Sequence, residues 1–159
     1  MGTTKLKGII LHWTAGLYTP NTTDKEHYHF LIDGDGNVIK GKYKPEDNLD
    51  CSRDYAAHCG GGNTGRIGIA VCGMHSVECC IKRLQLEAMC KLAAQLCKEY
   101  NIPINSNTIM THSEFGEKFP NSTSRGKIDI DRLPCIALYS RKECGNWLRS
   151  HVNYYRSRM

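Results

Sequence analysis

The 159-residue sequence predicts an α/β (α+β) domain, a central mixed β-sheet flanked by helices. Three observations predict it. Short strand-like runs recur at residues 5–12, 27–33, 67–71 and 108–111. A hairpin signal, Gly34-Asp35-Gly36-Asn37, follows the second run. One long amphipathic stretch, 81–100, lies between the third and fourth runs.

Residues 5–12 form the first predicted strand. It is apolar on both faces toward its end (Gly8, Ile9, Ile10, Leu11) and delivers His12 at its C-terminal edge. Trp13-Thr14-Ala15-Gly16 then breaks it. Residues 17–26 are polar, contain Pro20 and Asn21, and read as a loop or one short helix. In the second strand, 27–33, Phe30 and Ile32 alternate against His29 and Leu31, and 38–42 is the returning strand of the hairpin. Residues 45–65 lack periodicity and end in Gly60-Gly61-Gly62-Asn63-Thr64-Gly65; so long a loop in a compact domain is usually functional. After the short strand 67–71 comes the clearest helix, 81–100. Leu84, Met89, Leu92, Leu96 and Cys97 fall near a 3.6-residue stripe, and Pro103 follows the helix end. Residues 108–111 lead into His112, 113–126 read as a polar loop, and a last amphipathic helix is expected over 138–155. No repeat or linker divides the chain, so 1–159 reads as a single domain.

The net charge of +5 is modest, with Arg149, Arg156 and Arg158 close together near the C-terminus. Such a field suits an anionic partner such as a cell wall, a membrane surface or nucleic acid, and equally suits simple solubility. No apolar run approaches the ~20 residues that span a bilayer. The opening Met-Gly-Thr-Thr-Lys-Leu-Lys-Gly leads into a short apolar stretch broken by His12. No secretory signal is expected from that pattern, and synthesis in the cytoplasm is. The nine cysteines are odd in number and contain no C-x-x-C pair, which argues against a complete disulfide framework, a zinc ribbon or a thioredoxin-like site. Reduced thiols are expected, with Cys90 and Cys97 on the buried face of the long helix.

Three residues carry chemistry. His12 ends the first strand, His112 ends a later one, and Asp129 lies in Gly126-Lys127-Ile128-Asp129-Ile130-Asp131. Imidazole and carboxylate are zinc ligands, and a catalytic zinc usually takes three protein ligands and a water. Strand ends of one sheet converge in space however distant in sequence. Taken singly, each residue has a plainer reading: a strand-end histidine is more often structural, and Asp129 alone would cap a helix or sit on the surface. H-E-x-x-H is absent.

A resemblance shifts that balance. Leu11-His12-Trp13-Thr14-Ala15, then Tyr28-His29-Phe30-Leu31-Ile32 and Asp35-Gly36, resemble the opening of the zinc-dependent N-acetylmuramoyl-L-alanine amidases, the family of phage lysozyme-amidases and peptidoglycan recognition proteins. Ala57-His58, Gly62-Asn63, Ile67-Gly68-Ile69 and Gly73 are similar to its central stretch. Thr111-His112-Ser113-Glu114 and Lys127-x-Asp129 are similar to its late segments. The matches keep the family's order over most of the chain. The resemblance implies one Zn2+ per chain on His12, His112 and Asp129, in a cleft beside a mixed sheet. It implies that Tyr28 and Lys127 are catalytic and stabilise the tetrahedral intermediate. His58, Asn63 and Thr14 are expected to meet substrate, His29 to be packed on the opposite face from Tyr28, and Glu114 to support His112 from behind.

Two departures accompany the resemblance. The strand at Ile69-Ala70-Val71-Cys72 lacks the glutamate that serves some members as general base, which moves catalysis onto Tyr28 and the metal. The segment between His12 and Tyr28 is short. The implied function is hydrolysis of the amide between N-acetylmuramic acid and L-alanine in bacterial peptidoglycan, by a monomer that needs neither nucleic acid nor a transmembrane segment. A phage or prophage endolysin, made in the cytoplasm and released to the wall through a holin or similar route, fits best. A cytoplasmic wall-fragment recycling amidase and a non-catalytic peptidoglycan-binding protein are the alternatives. A cysteine amidase using Cys59 beside His58 is a remote one.

Overall fold

The computed structural model describes residues 2–76 and 78–159; Met1, the first residue of the segment read for a signal, lies outside them. Five strands form one sheet: β1 (Gly8–Trp13), β2 (Phe30–Ile32), β3 (Val38–Lys40), β4 (Arg66–Val71) and β5 (Ile109–Thr111). Their spatial order is β3-β2-β4-β1-β5. β1 lies between β4 and β5 and parallel to both, β2 is parallel to β4, and β3 returns antiparallel along β2. Helices α1 (Thr22–His27), α2 (Arg83–Glu99), α3 (His112–Lys118) and α4 (Arg141–Arg156) complete the predicted mixed sheet flanked by helices.

The sheet's two faces differ, because side chains alternate along each strand. Ile9, Leu11 and Trp13 of β1, Ile67, Ile69 and Val71 of β4 and Ile109 of β5 enter one large core with Leu86, Met89 and Ala93 of α2 and Leu148 and Val152 of α4. Among the described residues the other face holds a core of Ile10, Cys59, Met110 and Phe115. His12 follows Ile10 on this thinner side. Gly68 shares it, since a Cβ on Gly68 would meet the His58 ring.

The long helix buries Met89, Cys90, Leu92, Leu96 and Cys97 as the stripe requires. Leu84 departs from that stripe and is 49% exposed. It sits in the first turn, which overhangs the hairpin, and rests against Gly36 instead of the sheet. All nine cysteines are free thiols. Among the described residues no helix is long and apolar enough to cross a membrane.

Local hydrogen bonding explains where predicted boundaries move. His27 closes α1 and does not open the second strand, because Asn21 and Asp24 form a reciprocal capping box that nucleates a helix there. Residues 113–126 are not all loop. Thr111 Oγ1 accepts from the Glu114 N–H while the Glu114 carboxylate accepts from the Thr111 N–H, which starts α3, and Phe115 anchors that helix in the thin core. Glu114 also receives both arms of Arg149 from α4, at 2.8 and 2.9 Å. It is thereby committed to joining α3 to α4 and does not back His112. Ser140 caps α4, so the last helix begins at Arg141 and not at 138.

Candidate metal centre

β1 and the start of α3 bring His12 and His112 together, and the turn after Gly126 brings Asp129 to both. The three are buried, and one candidate ligand atom from each lies within 4.8 Å of the others. His12 Nδ1 is 3.0 Å from Asp129 Oδ2, and His112 Nδ1 is 3.4 Å from the same oxygen. The Asp129 carbonyl also accepts from the Ser113 N–H, which fixes the aspartate's backbone against the start of α3.

Each histidine's other nitrogen meets a protein partner. His12 Nε2 is 3.0 Å from His58 Nδ1, and His58 Nε2 is 3.1 Å from the Arg66 carbonyl. His112 Nε2 is 2.9 Å from Ser124 Oγ, and Ser124 Oγ donates to the Gly60 carbonyl at 2.7 Å. The protons can be counted. From Arg66 through His58 and His12 to Asp129 there are three contacts, and two neutral imidazoles supply two protons. From Gly60 through Ser124 and His112 to Asp129 there are again three contacts, and one hydroxyl and one neutral imidazole supply two protons. A carbonyl, which only accepts, terminates each path. The Asp129 carboxylate, which also only accepts, terminates the other end of both paths, so each path is one proton short.

Burial holds His12 down to about 4, against the opposing pull of Asp129, so the ring is neutral at pH 7. Burial, with His12 and His29 nearby, keeps His58 well below the ordinary histidine value. Burial acts to raise the Asp129 carboxyl, but the facing His112 and His12 rings outweigh it and hold the group well below the usual carboxylate range. Two imidazoles and an ionised carboxylate aimed at one point are the donor set of a zinc site. A cation between them resolves both deficits, so the residues present fit the metal that the sequence implies.

A cleft of about 910 Å³ opens over this centre. Tyr28 and the exposed Lys127 both line it, with Thr14, Asn63 and His58. The Tyr28 ring centroid is 5.0 Å from that of His12. Burial, then Asp129 and Asp24, push the Tyr28 phenol above its ordinary value, so it stays protonated. The three residues expected to meet substrate have commitments inside the protein. Asn63 Oδ1 accepts from the N–H groups of His58 and Cys59, which orders the glycine turn. Thr14 Oγ1 accepts from Gly16 and Gly73 and shapes the turn after β1. His58 is 5% exposed with both ring nitrogens engaged, so the structure puts it behind His12. His29 is packed, as expected, between the Gly68 N–H and the Asn48 amide oxygen. Burial holds the Cys59 thiol up to about 11, against a cysteine nucleophile.

Several cleft residues escaped the sequence reading. Asp24 and His27 of α1, in the short segment after His12, line the cleft, and so does Ile128 next to Lys127. The capping box at Asn21 was the readable signal for that helix. Ser124, fully buried against His112, carried no signal, because it sits in a polar run without periodicity.

The fold has relatives. A staphylococcal phage 2638A endolysin is 27% identical over 124 residues, 69% of this chain and 24% of that protein, so the chain spans about a quarter of the relative's length. Among solved structures, the Staphylococcus aureus hydrolase AmiA, in complex with its ligand, superposes with a TM-score of 0.65 at 14% identity, over 98% of this chain and 77% of that one. The Apis mellifera peptidoglycan recognition protein SA follows at 0.57 and 19% identity, over 92% and 87%. These likenesses show the fold. The N-acetylmuramoyl-L-alanine amidase family model matches residues 2–129, which takes in His12, Tyr28, His112 and Asp129. On that match, over most of its length, the chain belongs to the N-acetylmuramoyl-L-alanine amidase family.

Proposed function

We propose that this chain is a single-domain, monomeric zinc amidase that hydrolyses the bond between N-acetylmuramic acid and the L-alanine of the stem peptide. The observation that carries this reading is the convergence of buried His12, His112 and Asp129, with Nδ1 of both histidines within 3.4 Å of one Asp129 oxygen. One Zn2+ per chain held by these residues supplies Lewis acidity, which makes water nucleophilic at neutral pH.

The chain's own groups do the rest. Cleavage joins a water oxygen to the lactyl carbonyl carbon, breaks the C–N bond, and releases the alanine amine. Tyr28, kept protonated, donates a hydrogen bond to the carbonyl oxygen as it becomes negative. Lys127, which also lines the cleft, adds positive charge to the same developing oxyanion. The β4 residue in register with His12 is Ala70, so no carboxylate stands beside it on that strand to act as a base. Asn63 and Thr14 shape the cleft walls, and any substrate contact they make is secondary to that task.

The family membership and the phage relative support a role as an endolysin, released from the cytoplasm to the wall to lyse a bacterial host. Digestion of purified peptidoglycan, with and without a chelator and with mass spectrometry of the products, tests the activity. Free stem peptides with a new alanine amine, lost on chelation and regained with zinc, are expected. Cut glycan strands with intact stems would overturn the reading.

A further inference from the structure

Both ligand histidines are held from behind by a chain of contacts that ends on a backbone carbonyl. We propose that Ser124, backed by the Gly60 carbonyl, and His58, backed by the Arg66 carbonyl, are positioning residues that fix His112 and His12 as Nε2–H tautomers, so that both present Nδ1 to one cation. This rests on the zinc reading above and assigns two residues that the expected site did not use in this way.

The direction of each bond follows from its far end. A carbonyl oxygen cannot donate, so the Ser124 hydroxyl gives its proton to Gly60 at 2.7 Å and accepts the Nε2–H of His112 at 2.9 Å. The Arg66 carbonyl likewise requires the His58 proton on Nε2. His58 Nδ1 is then a bare acceptor, and the His12 proton comes to it on Nε2 at 3.0 Å. His58 and Ser124 are 5% and 0% exposed, so no solvent competes for these bonds. Partners of this kind orient metal-binding histidines and fix the tautomer.

The glycine run serves the same device. A Cβ at Gly60 would collide with Thr123 Oγ1, one at Gly61 with Ser122, and one at Gly116 of α3 with the Ser124 carbonyl. Gly61 also adopts φ +80°, which side chains disfavour. Three glycines on two separate segments thus accept the turn that carries Ser124. The loop over residues 45–65 therefore reaches the metal centre by gripping this turn. Gly68 does for His58 what Gly60 does for Ser124, since a Cβ there would displace the His58 ring.

The test uses the full chain, wild type and the variants Ser124→Ala and Ser124→Thr. Zinc affinity is read by competition with a chromogenic chelator, and imidazole 15N shifts are read in metal-free protein. In wild type both histidines should show the Nε2–H tautomer. Ser124→Ala should weaken zinc binding about 10- to 100-fold while still saturating at one zinc per chain, and the His112 shifts should move toward mixed tautomers. Ser124→Thr, which keeps the hydroxyl, should restore both within a few-fold. Wild-type histidines protonated on Nδ1, or a Ser124→Ala chain that binds zinc as tightly as wild type with unchanged shifts, would overturn the proposal. A wild-type chain that takes up no zinc overturns the metal reading instead, and the metal-free spectrum still decides the positioning claim.

Discussion

His12 Nδ1 lies 3.0 Å from Asp129 Oδ2, and the proton that would join them is held on the far side of the ring by His58. A cation therefore does there what a proton does elsewhere. Chelation should abolish activity and lower Tm, and added zinc should restore both. At zinc concentrations 100 times Kd the expected gain is about 2.7 kcal/mol. Asp129→Cys should keep one zinc per chain, since thiolate is a zinc ligand, whereas Asp129→Ala should lose it. Elemental analysis after gel filtration separates the two.

Tyr28 is read as a donor because burial, Asp129 and Asp24 all disfavour its phenolate. Replacing it with Phe keeps the ring beside His12 and removes only the hydroxyl. Tyr28→Phe should lower kcat about 10²- to 10³-fold with little change in KM or zinc content. Lys127→Ala should act in the same direction. Steady-state kinetics on a soluble muropeptide check both, and a matching loss of zinc would move either residue into the metal-holding set.

Gly68→Ala adds a single methyl where the His58 ring already stands. The ring must shift, and His12 with it. A stability loss of about 1–3 kcal/mol is expected from overpacking. Weakened zinc binding should accompany it, because the displaced ring is the one that orients His12. Urea melts and chelator competition measure the two effects separately.

His29 sets an acid limit on the fold. Its Nδ1 accepts from the Gly68 N–H at 2.9 Å, so the nitrogen that would take a second proton already faces a donor. Burial lowers its pKa to about 4, against 6.5 in the unfolded chain. At pH 7 the ring is neutral in both states and the shift costs nothing. As pH falls from about 6.5 to about 4 the unfolded chain binds the proton and the folded one does not, so stability falls by on the order of 3 kcal/mol. A urea-denaturation series between pH 7 and pH 4 reads this slope, and His29→Gln should flatten it.

The main helices and parallel strands were legible because their signals are local. Short apolar runs marked β1 and β4, and a 3.6-residue stripe marked α2. Shorter elements were harder. The seven-residue α3 carries little of the thin core, mainly Phe115, and its charged anchor Arg149 comes from α4. Its capping box, Thr111 to Glu114, was in plain view, but Glu114 drew attention as the neighbour of a ligand. Leu84 matched the stripe and still faces solvent, since the stripe cannot tell where a helix passes beyond its sheet. The candidate ligands His12, His112 and Asp129 came from motif resemblance, because spacing alone could not bring the three together. Ser124 and the true setting of His58 could not be read, because what each does depends on which backbone carbonyl stands behind it.

The unequal faces of the sheet divide the molecule's resistance to opening. On one side β1 and β4 are pressed beneath α2 and α4 by a broad aliphatic layer. On the other, four apolar residues and a hydrogen-bonded lattice hold α3 and the loop of residues 45–65 in place. Amide hydrogen exchange should expose this division. Removing zinc should speed exchange in α3 and around Gly60 while leaving α2 and α4 nearly as protected as before. The metal then acts as a clasp for one half of the fold, and a cell poor in zinc would hold a well-folded protein whose catalytic side stands ajar.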